Sequence, residues 1–306
     1  MKPAPEDDMV AAIDTGDMVS VTAADGHELK GRLWWASKNA PLLVAAHGVM
    51  SHGLWFHQLA EALRARGIAL LVFDRRGAGL NRGDPGEPED DQTLIDDLGA
   101  WMDLAATISD ERHLVGFCWG SNYMLHYLGQ LSDGVKSLIL MAPGVVPSTN
   151  VAIRRSIDNL APETRLPITL ELEDFTRGPA LEGFLRPDPL RLTHTSARFV
   201  SIQNRIGRWS AVRLAKLRLP LLAILAEQDN ISDNDKTRGL IDRSSASPKT
   251  LIDVPGRHGI IFDAPIQIAD ACRDWLDRLR STADRSDASS SAAVPNVDQT
   301  VLKKSN

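Results

Sequence analysis

A thiol, an imidazole and a carboxylate can together move an acyl group. The thiol attacks the carbonyl carbon, the imidazole takes and returns the proton, and the carboxylate orients the ring. Cys118, His258 and Asp229 are the residues of this chain that fit those roles. Cys118 lies in Gly116-Phe117-Cys118-Trp119-Gly120. The apolar run Arg112-His113-Leu114-Val115 before it reads as a buried strand, and Met124, Leu125, Leu128 and Leu131 after it recur at helical spacing. Strand, G-x-C-x-G, helix is the context of a nucleophile elbow, with cysteine in the place of serine. The glycines have a steric reason: the turn is so tight that side chains two residues either side would collide with neighbouring backbone. The turn also sets the thiol at the positive end of a helix, where negative charge is favoured.

A lone cysteine is more often a small core residue. Cys272 reads that way, on the buried face of a helix with Ile268, Trp275 and Leu276. Asp233 and Asp235 rival Asp229, but only Asp229 stands at a strand end. Of the other histidines, His113 starts a strand, His126 lies in the elbow helix, and His27 and His194 fall in a turn and an insertion. His52 and His57 are expected on a solvated loop. With His47 they lack carboxylate company and a familiar ligand spacing, so no metal site and no cofactor are expected.

The elements that must position these residues follow from the pattern. Met18 to Ala23 and Lys30 to Ala36 read as strands around the turn Asp25-Gly26. The runs at 41–46, 68–73, 135–141 and 221–226, with 250–254, read as parallel strands. Helices are expected over 57–66, 91–107 and 265–279. Alternating strands and helices argue for a doubly wound, mostly parallel α/β sheet. Each polar candidate sits just past the C-terminal end of a strand, where ligands bind in such sheets. Between Val145 and Leu217 the alternation stops and prolines recur, so 145–217 reads as an inserted, mostly helical cap with helices at 150–160 and 189–206. The core is then 18–144 and 218–280. Residues 1–17 read as a loose arm and 281–306 as a disordered tail.

Nucleophile, acid, base in the order Cys118, Asp229, His258 resembles the α/β-hydrolase fold superfamily. The layout is similar to capped hydrolases of the monoacylglycerol-lipase and lysophospholipase kind, over residues 18 to 280. The matching features are His47-Gly48, Asp74-x-Arg76-Gly77-x-Gly79, the elbow, Glu227-x-Asp229 and His258. Cys118 departs from that pattern and is similar to the G-x-C-x-G of dienelactone hydrolases. The resemblance implies an oxyanion hole from the Trp119 and Val49 backbone N–H groups, a loop-shaping role for His47, and bracing roles for Asp74, Arg76 and Gly77. Trp55 and Phe56 are candidates for the wall of an acyl pocket, or else for packing under the cap.

A cysteine at the elbow shifts weight from plain ester hydrolysis toward acyl transfer or thioesterase work. The expected activity is hydrolysis of an ester or thioester through a Cys118 acyl-enzyme, with a small-molecule substrate that could ride on a carrier. The alternatives are an acyltransferase passing the acyl group to an amine or alcohol, and a non-catalytic binding protein on the same fold. Length and composition agree with a large soluble domain: 306 residues, 43% apolar and 24% charged. A net charge of -6 offers no basic surface for nucleic acid. Two cysteines make no disulfide framework, and with no bilayer-length apolar run and a polar start the expected location is cytoplasmic.

Overall fold

The computed structural model describes residues 13–83, 86–148 and 159–291. Eight strands form one sheet: β1 (Asp17–Thr22), β2 (Glu28–Trp34), β3 (Leu42–Ala46), β4 (Ala69–Phe73), β5 (Arg112–Phe117), β6 (Val135–Met141), β9 (Leu221–Ala226) and β10 (Lys249–Val254). Two short strands, β7 (Arg165–Pro167) and β8 (His194–Ser196), form a separate antiparallel ribbon. The order in the sheet is β1-β2-β4-β3-β5-β6-β9-β10. β2 runs antiparallel to both of its neighbours, and every pairing from β4 to β10 is parallel. This is the α/β-hydrolase fold.

The physical reason is visible in the strands. Every residue of β3, β4 and β9 is buried, so both faces of the sheet must be covered. Crossover helices do this. α1 (His57–Arg64) links β3 to β4, α2 (Asp91–Ile108) links β4 to β5, and α3 (Gly120–Leu128) links β5 to β6. α4 (Ala197–Lys216) lies between β8 and β9, α5 (Asn234–Asp242) links β9 to β10, and α6 (Pro265–Ser291) follows β10. α1 packs against α6, while α3 packs against α2 and α4. The edge strand β1 alternates between exposed and half-buried, as an edge with one face on the protein should.

Several sequence expectations are corrected here. Residues 14–16 do not form a loose arm. Trp34 Nε1 donates to the Asp14 carbonyl, Arg32 donates to the Thr15 carbonyl, and Arg64 pairs with the Asp14 carboxylate. The stretch between β6 and β9 contains the β7–β8 ribbon as well as helix. The helix expected at 189–206 starts at Ala197 and runs to Lys216, because Ser196 caps it through its hydroxyl, which accepts from Phe199 N–H. The helix expected at 150–160 falls almost wholly on residues outside the described ones. α6 runs on to Ser291, into the stretch read as a disordered tail. The remainder of that tail lies outside the described residues, as does 1–12.

Candidate active site

The elbow takes the conformation its spacing predicts. Cys118 sits at φ +56° between β5 and α3, in the left-handed region that costs a non-glycine residue free energy. The flanking glycines leave no room for a side chain. A Cβ on Gly116 would lie 2.5 Å from Ser121 Cα. A Cβ on Gly120 would collide with the Ala46 carbonyl oxygen and lie 2.7 Å from its carbon. The strained turn is held from both sides: Cys118 N–H donates to the Met141 carbonyl at 3.2 Å, and the Cys118 carbonyl accepts from Gly144 N–H at 2.9 Å.

His258 and Asp229 meet as the sequence predicts. His258 Nδ1 lies 2.9 and 3.0 Å from the two Asp229 carboxylate oxygens, and both side chains are fully buried. Asp229 Oδ1 also accepts from the N–H groups of Ile231 and Ser232, at 2.9 and 2.8 Å. Burial opposes the charge on Asp229, but the His258 ring and these hydrogen bonds outweigh it and hold the carboxyl below its ordinary pKa. The rival Asp233 has other work. It caps α5, accepting from Lys236 N–H and pairing with the Lys236 ammonium at 2.7 Å.

His258 Nε2 is buried and has no hydrogen-bond partner among the described residues. Burial alone would lower the pKa of the ring. The Cys118 sulfur and the Asp229 carboxylate outweigh burial and lift it to about 10. The ring is fixed by Phe175 and Phe117, with ring centroids at 5.3 and 5.8 Å. The backbone beside it is fixed too: Gly259 N–H donates to the Phe175 carbonyl at 2.6 Å and His258 N–H to the Asp174 carbonyl at 3.3 Å. A Cβ on Gly259 would lie 2.5 Å from that Phe175 oxygen, so glycine is needed for the contact.

The loop after β3 closes the other side. A Cβ on Gly48 would lie 3.2 Å from Cys118 Sγ, which places the Gly48 backbone against the sulfur. His47 is buried, and burial together with the nearby Arg75 charge keeps its pKa well below the ordinary value, so the ring is neutral. Its Nδ1 donates to the Gly48 carbonyl at 2.8 Å and its Nε2 accepts from Arg75 N–H at 2.9 Å. In a trans peptide a carbonyl drawn one way sends the next N–H the other way. The Val49 N–H thus points away from His47. Neither the Val49 nor the Trp119 N–H donates to another group among the described residues.

A cavity of about 320 Å³ opens at the sulfur, within the size range of small-molecule sites. Val49, Cys118, Trp119 and Asn122 line its floor. Trp55 and Phe56 do not line it. Trp55 is buried between Phe175 and Phe262, with its Nε1 donating to Asp188 at 2.8 Å, and Phe56 packs edge-on to Phe117. Both are packing residues, and the pocket-wall reading is set aside. His52 and His57 are buried as well, not solvated. His52 Nε2 contacts Asp188 at 2.9 Å, and His57 bonds the Leu54 carbonyl at 3.0 Å. Of the residues expected to brace loops, Asp74 accepts from Gly53 and Leu80 N–H, and Arg76 forks onto Asp97.

Sequence reading missed three residues here. Arg75 is buried with no hydrogen bond to a carboxylate among the described residues. Its guanidinium lies 4.0 Å over the Phe199 ring and donates to the Val49 carbonyl at 3.3 Å. Burial lowers its pKa to about 10. Asn122 and Gln203 line the cavity. Asn122 had a signal, since it stands one helical turn past Cys118, whereas nothing local to Gln203 or Arg75 pointed to the site.

The profile of the family described as Serine aminopeptidase, S33 matches residues 37–265, which span both the elbow and His258. The chain belongs to that family. Phospholipase YtpA of Bacillus subtilis (strain 168) is 23% identical over 239 residues, covering 76% of this chain and 92% of that protein. Polyketide transferase grgF of Penicillium sp. is 28% identical over 170 residues, covering 54% of this chain and 53% of that protein. Among solved structures, a soluble variant of monoglyceride lipase from Saccharomyces cerevisiae shares the fold with a TM-score of 0.74 at 18% identity, covering 87% and 96% of the two chains. No helix among the described residues is long and apolar enough to cross a membrane, and no cluster of three or more metal-ligating side chains occurs among them.

Proposed function

We propose that this α/β-hydrolase-family enzyme releases acyl groups from esters or thioesters through a Cys118 acyl-enzyme, with Cys118, His258 and Asp229 as its triad. The observation that carries the reading is the buried His258–Asp229 pair facing a cysteine held at φ +56° on the floor of a cavity. The Cys118 S–H proton passes to His258 Nε2 as the sulfur attacks the acyl carbon, and the S–C bond forms as the carbonyl π pair moves onto oxygen. The Trp119 and Val49 N–H groups receive that oxyanion. When the tetrahedral state collapses, the bond to the leaving alcohol or thiol breaks, and His258 Nε2 gives the proton to it. Water then gives a proton to the same nitrogen and its oxygen to the acyl carbon. Collapse of this second tetrahedral state breaks the S–C bond, His258 Nε2 returns the proton to the sulfur, and the free acid and enzyme thiol result.

The name of one relative, a polyketide transferase, favours a second acceptor besides water. An amine or alcohol in place of water would make the same site an acyltransferase. In either case the substrate is a small acyl ester or thioester, with no metal or organic cofactor in the chemistry.

Intact and peptide mass spectrometry after mixing with acyl N-acetylcysteamine thioesters tests the reading. An acyl adduct on Cys118 is expected in the wild type and should be absent in Cys118→Ala. Turnover that survives Cys118→Ala removes the cysteine as nucleophile. No turnover with saturable binding instead assigns the protein to ligand recognition. Product analysis with added amine or alcohol then separates hydrolysis from transfer. If free acid is the sole product whatever acceptor is present, transfer fails.

A further inference from the structure

The two peptide planes that flank Val49 are both held by one residue. The first carries the Gly48 carbonyl and the Val49 N–H. That carbonyl accepts from His47 Nδ1 at 2.8 Å, and the His47 ring is fixed in this orientation by Arg75 N–H, which donates to its Nε2 at 2.9 Å. The second plane carries the Val49 carbonyl, which accepts from the Arg75 guanidinium at 3.3 Å. Fixing a plane on each side of a Cα fixes φ and ψ, the two soft dihedrals of the residue. Other hydrogen bonds of this loop lie one plane further out on either side: Gly48 N–H donates to Ser51 Oγ and the Met50 carbonyl accepts from Leu192 N–H, both at 2.9 Å.

The guanidinium is itself held in place. It donates to the Arg76 carbonyl at 2.8 Å and lies 4.0 Å over the Phe199 ring and 5.8 Å from the centre of the Trp119 ring. The two rings meet edge-on, with centroids 5.4 Å apart. The cavity is walled by Leu166 and Ile168 on the ribbon side and by Val200 and Gln203 on α4, so Phe199 seats Arg75 on the helix that forms one wall. Arg75 is 2% exposed, and no carboxylate among the described residues accepts from its side chain; Glu87 and Asp74 act on its charge at longer range. An apolar side chain would fill the same space without burying a cation. Burial lowers its pKa only to about 10, so the group is charged at neutral pH.

We infer that Arg75 is the positioning residue of the oxyanion hole: it sets the Val49 N–H for the acyl oxygen and keeps a fixed positive charge beside the residues that supply the two donors, Val49 and Trp119. This rests on the reading of Cys118 as the acylated residue and of those two N–H groups as the hole. The carbonyl of a bound substrate carries little charge, whereas the tetrahedral state carries a full one on oxygen. A donor aimed before the reaction, and a buried charge that water does not screen, both act on the second state far more than on the first. Loss of Arg75 therefore falls on the rate of acyl transfer and spares both substrate binding and the reactivity of the thiol.

The test compares wild type, Arg75→Met and Arg75→Lys in two reactions of Cys118. Acylation by octanoyl N-acetylcysteamine thioester builds an oxyanion. Alkylation by iodoacetamide expels iodide from a saturated carbon and builds none, so it reads the thiol and His258 alone. Acylation of Arg75→Met is expected to fall roughly 100-fold, with the loss in kcat and with KM and the alkylation rate each within about threefold of wild type. Arg75→Lys keeps the charge and is expected to recover about tenfold of that loss. Should Arg75→Met not fold, Arg75→Lys carries the test by itself, with acylation down roughly tenfold and alkylation unchanged. Equal slowing of the two reactions overturns the assignment, because Arg75 would then support the fold of the elbow and nothing more. Acylation of Arg75→Met within about threefold of wild type overturns it too. Failure of the nucleophile reading is separable, since it shows in the wild type as an acyl adduct elsewhere, or as turnover that survives Cys118→Ala. Thiol release by Arg75→Met still reads the hole in that case: a roughly 100-fold loss of kcat supports the assignment, and an unchanged kcat sinks it.

Discussion

Replacing His258 with alanine is expected to lower kcat/KM for an activated thioester by roughly ten-thousand-fold, in the range for loss of a triad member. The leaving thiol would depart unprotonated and the second nucleophile would lack a base, so acylated Cys118 should accumulate in the variant. Mass spectrometry at steady state checks this. A His258→Ala enzyme within tenfold of the wild type would refute a base role for the ring.

The same substitution has a pH signature in stability. The pKa of His258 is raised from 6.5 to about 10, chiefly because Cys118 and Asp229 outweigh burial. The folded protein then binds more protons than the unfolded chain between those values, so stability falls as pH rises. The contribution of the ring is complete below 6.5 and gone above about 10. Asp229 has the opposite sign. Its carboxyl is held below 3.8, so its contribution is present above that value and is lost as acid protonates it. The stability gap between wild type and His258→Ala is therefore expected to be widest between pH 3.8 and 6.5 and to narrow steadily toward pH 10. Urea unfolding of both proteins at pH 5.5, 8 and 10 reads it directly. A gap that does not change with pH would mean that the ring is uncharged in the fold.

Gly120→Ala is expected to destabilise the protein by roughly 3 kcal/mol or more, at the upper end for overpacking. The added methyl group meets the backbone of Ala46, and at 2.9 Å the His47 carbonyl, so no side-chain rotation relieves it. Either α3 lifts off β3 or the strand shifts, and both move Cys118 relative to the loop after His47. Thermal unfolding measures the first effect and the acylation rate the second. Gly99→Ala is the control. Gly99 lies inside α2, and a Cβ there meets nothing within 4 Å. That change should stabilise by about 0.5–1 kcal/mol through helix propensity alone. If Gly120→Ala behaves like Gly99→Ala, the tight packing of the elbow is refuted.

These expectations were not equally legible in the sequence. The elbow was, because its constraints are local: G-x-C-x-G lies between an apolar strand and a helical repeat. The strand ends were legible too, since fully buried parallel strands are short apolar runs that stop at polar residues, and each candidate triad member follows one. Trp55 and Phe56 misled because an aromatic residue beside a loop can face either way. What buries Trp55 is Phe175 and Phe262, more than a hundred residues distant. His52 was misjudged for the same reason, its partner Asp188 being 136 residues away. α5 gave no strong apolar stripe, with only Thr237 and Ile241 buried. The end of α6 shows local propensity and propagation from a packed helix prevailing over a polar composition.

The contact between Gly259 and residues 174–175 bears on how such an enzyme can change its substrate. His258 and Gly259 share backbone hydrogen bonds with Asp174 and Phe175, with no space for a methyl group on Gly259. A lineage that rebuilt the 145–217 insertion to admit a new substrate would have to keep residues 174–175 in register or displace His258. The ribbon side, with Leu166 and Ile168, and the α4 face, with Val200 and Gln203, carry no such obligation to His258. Drift in specificity should therefore gather at those two walls, while Phe175 and Gly259 stay fixed as a pair.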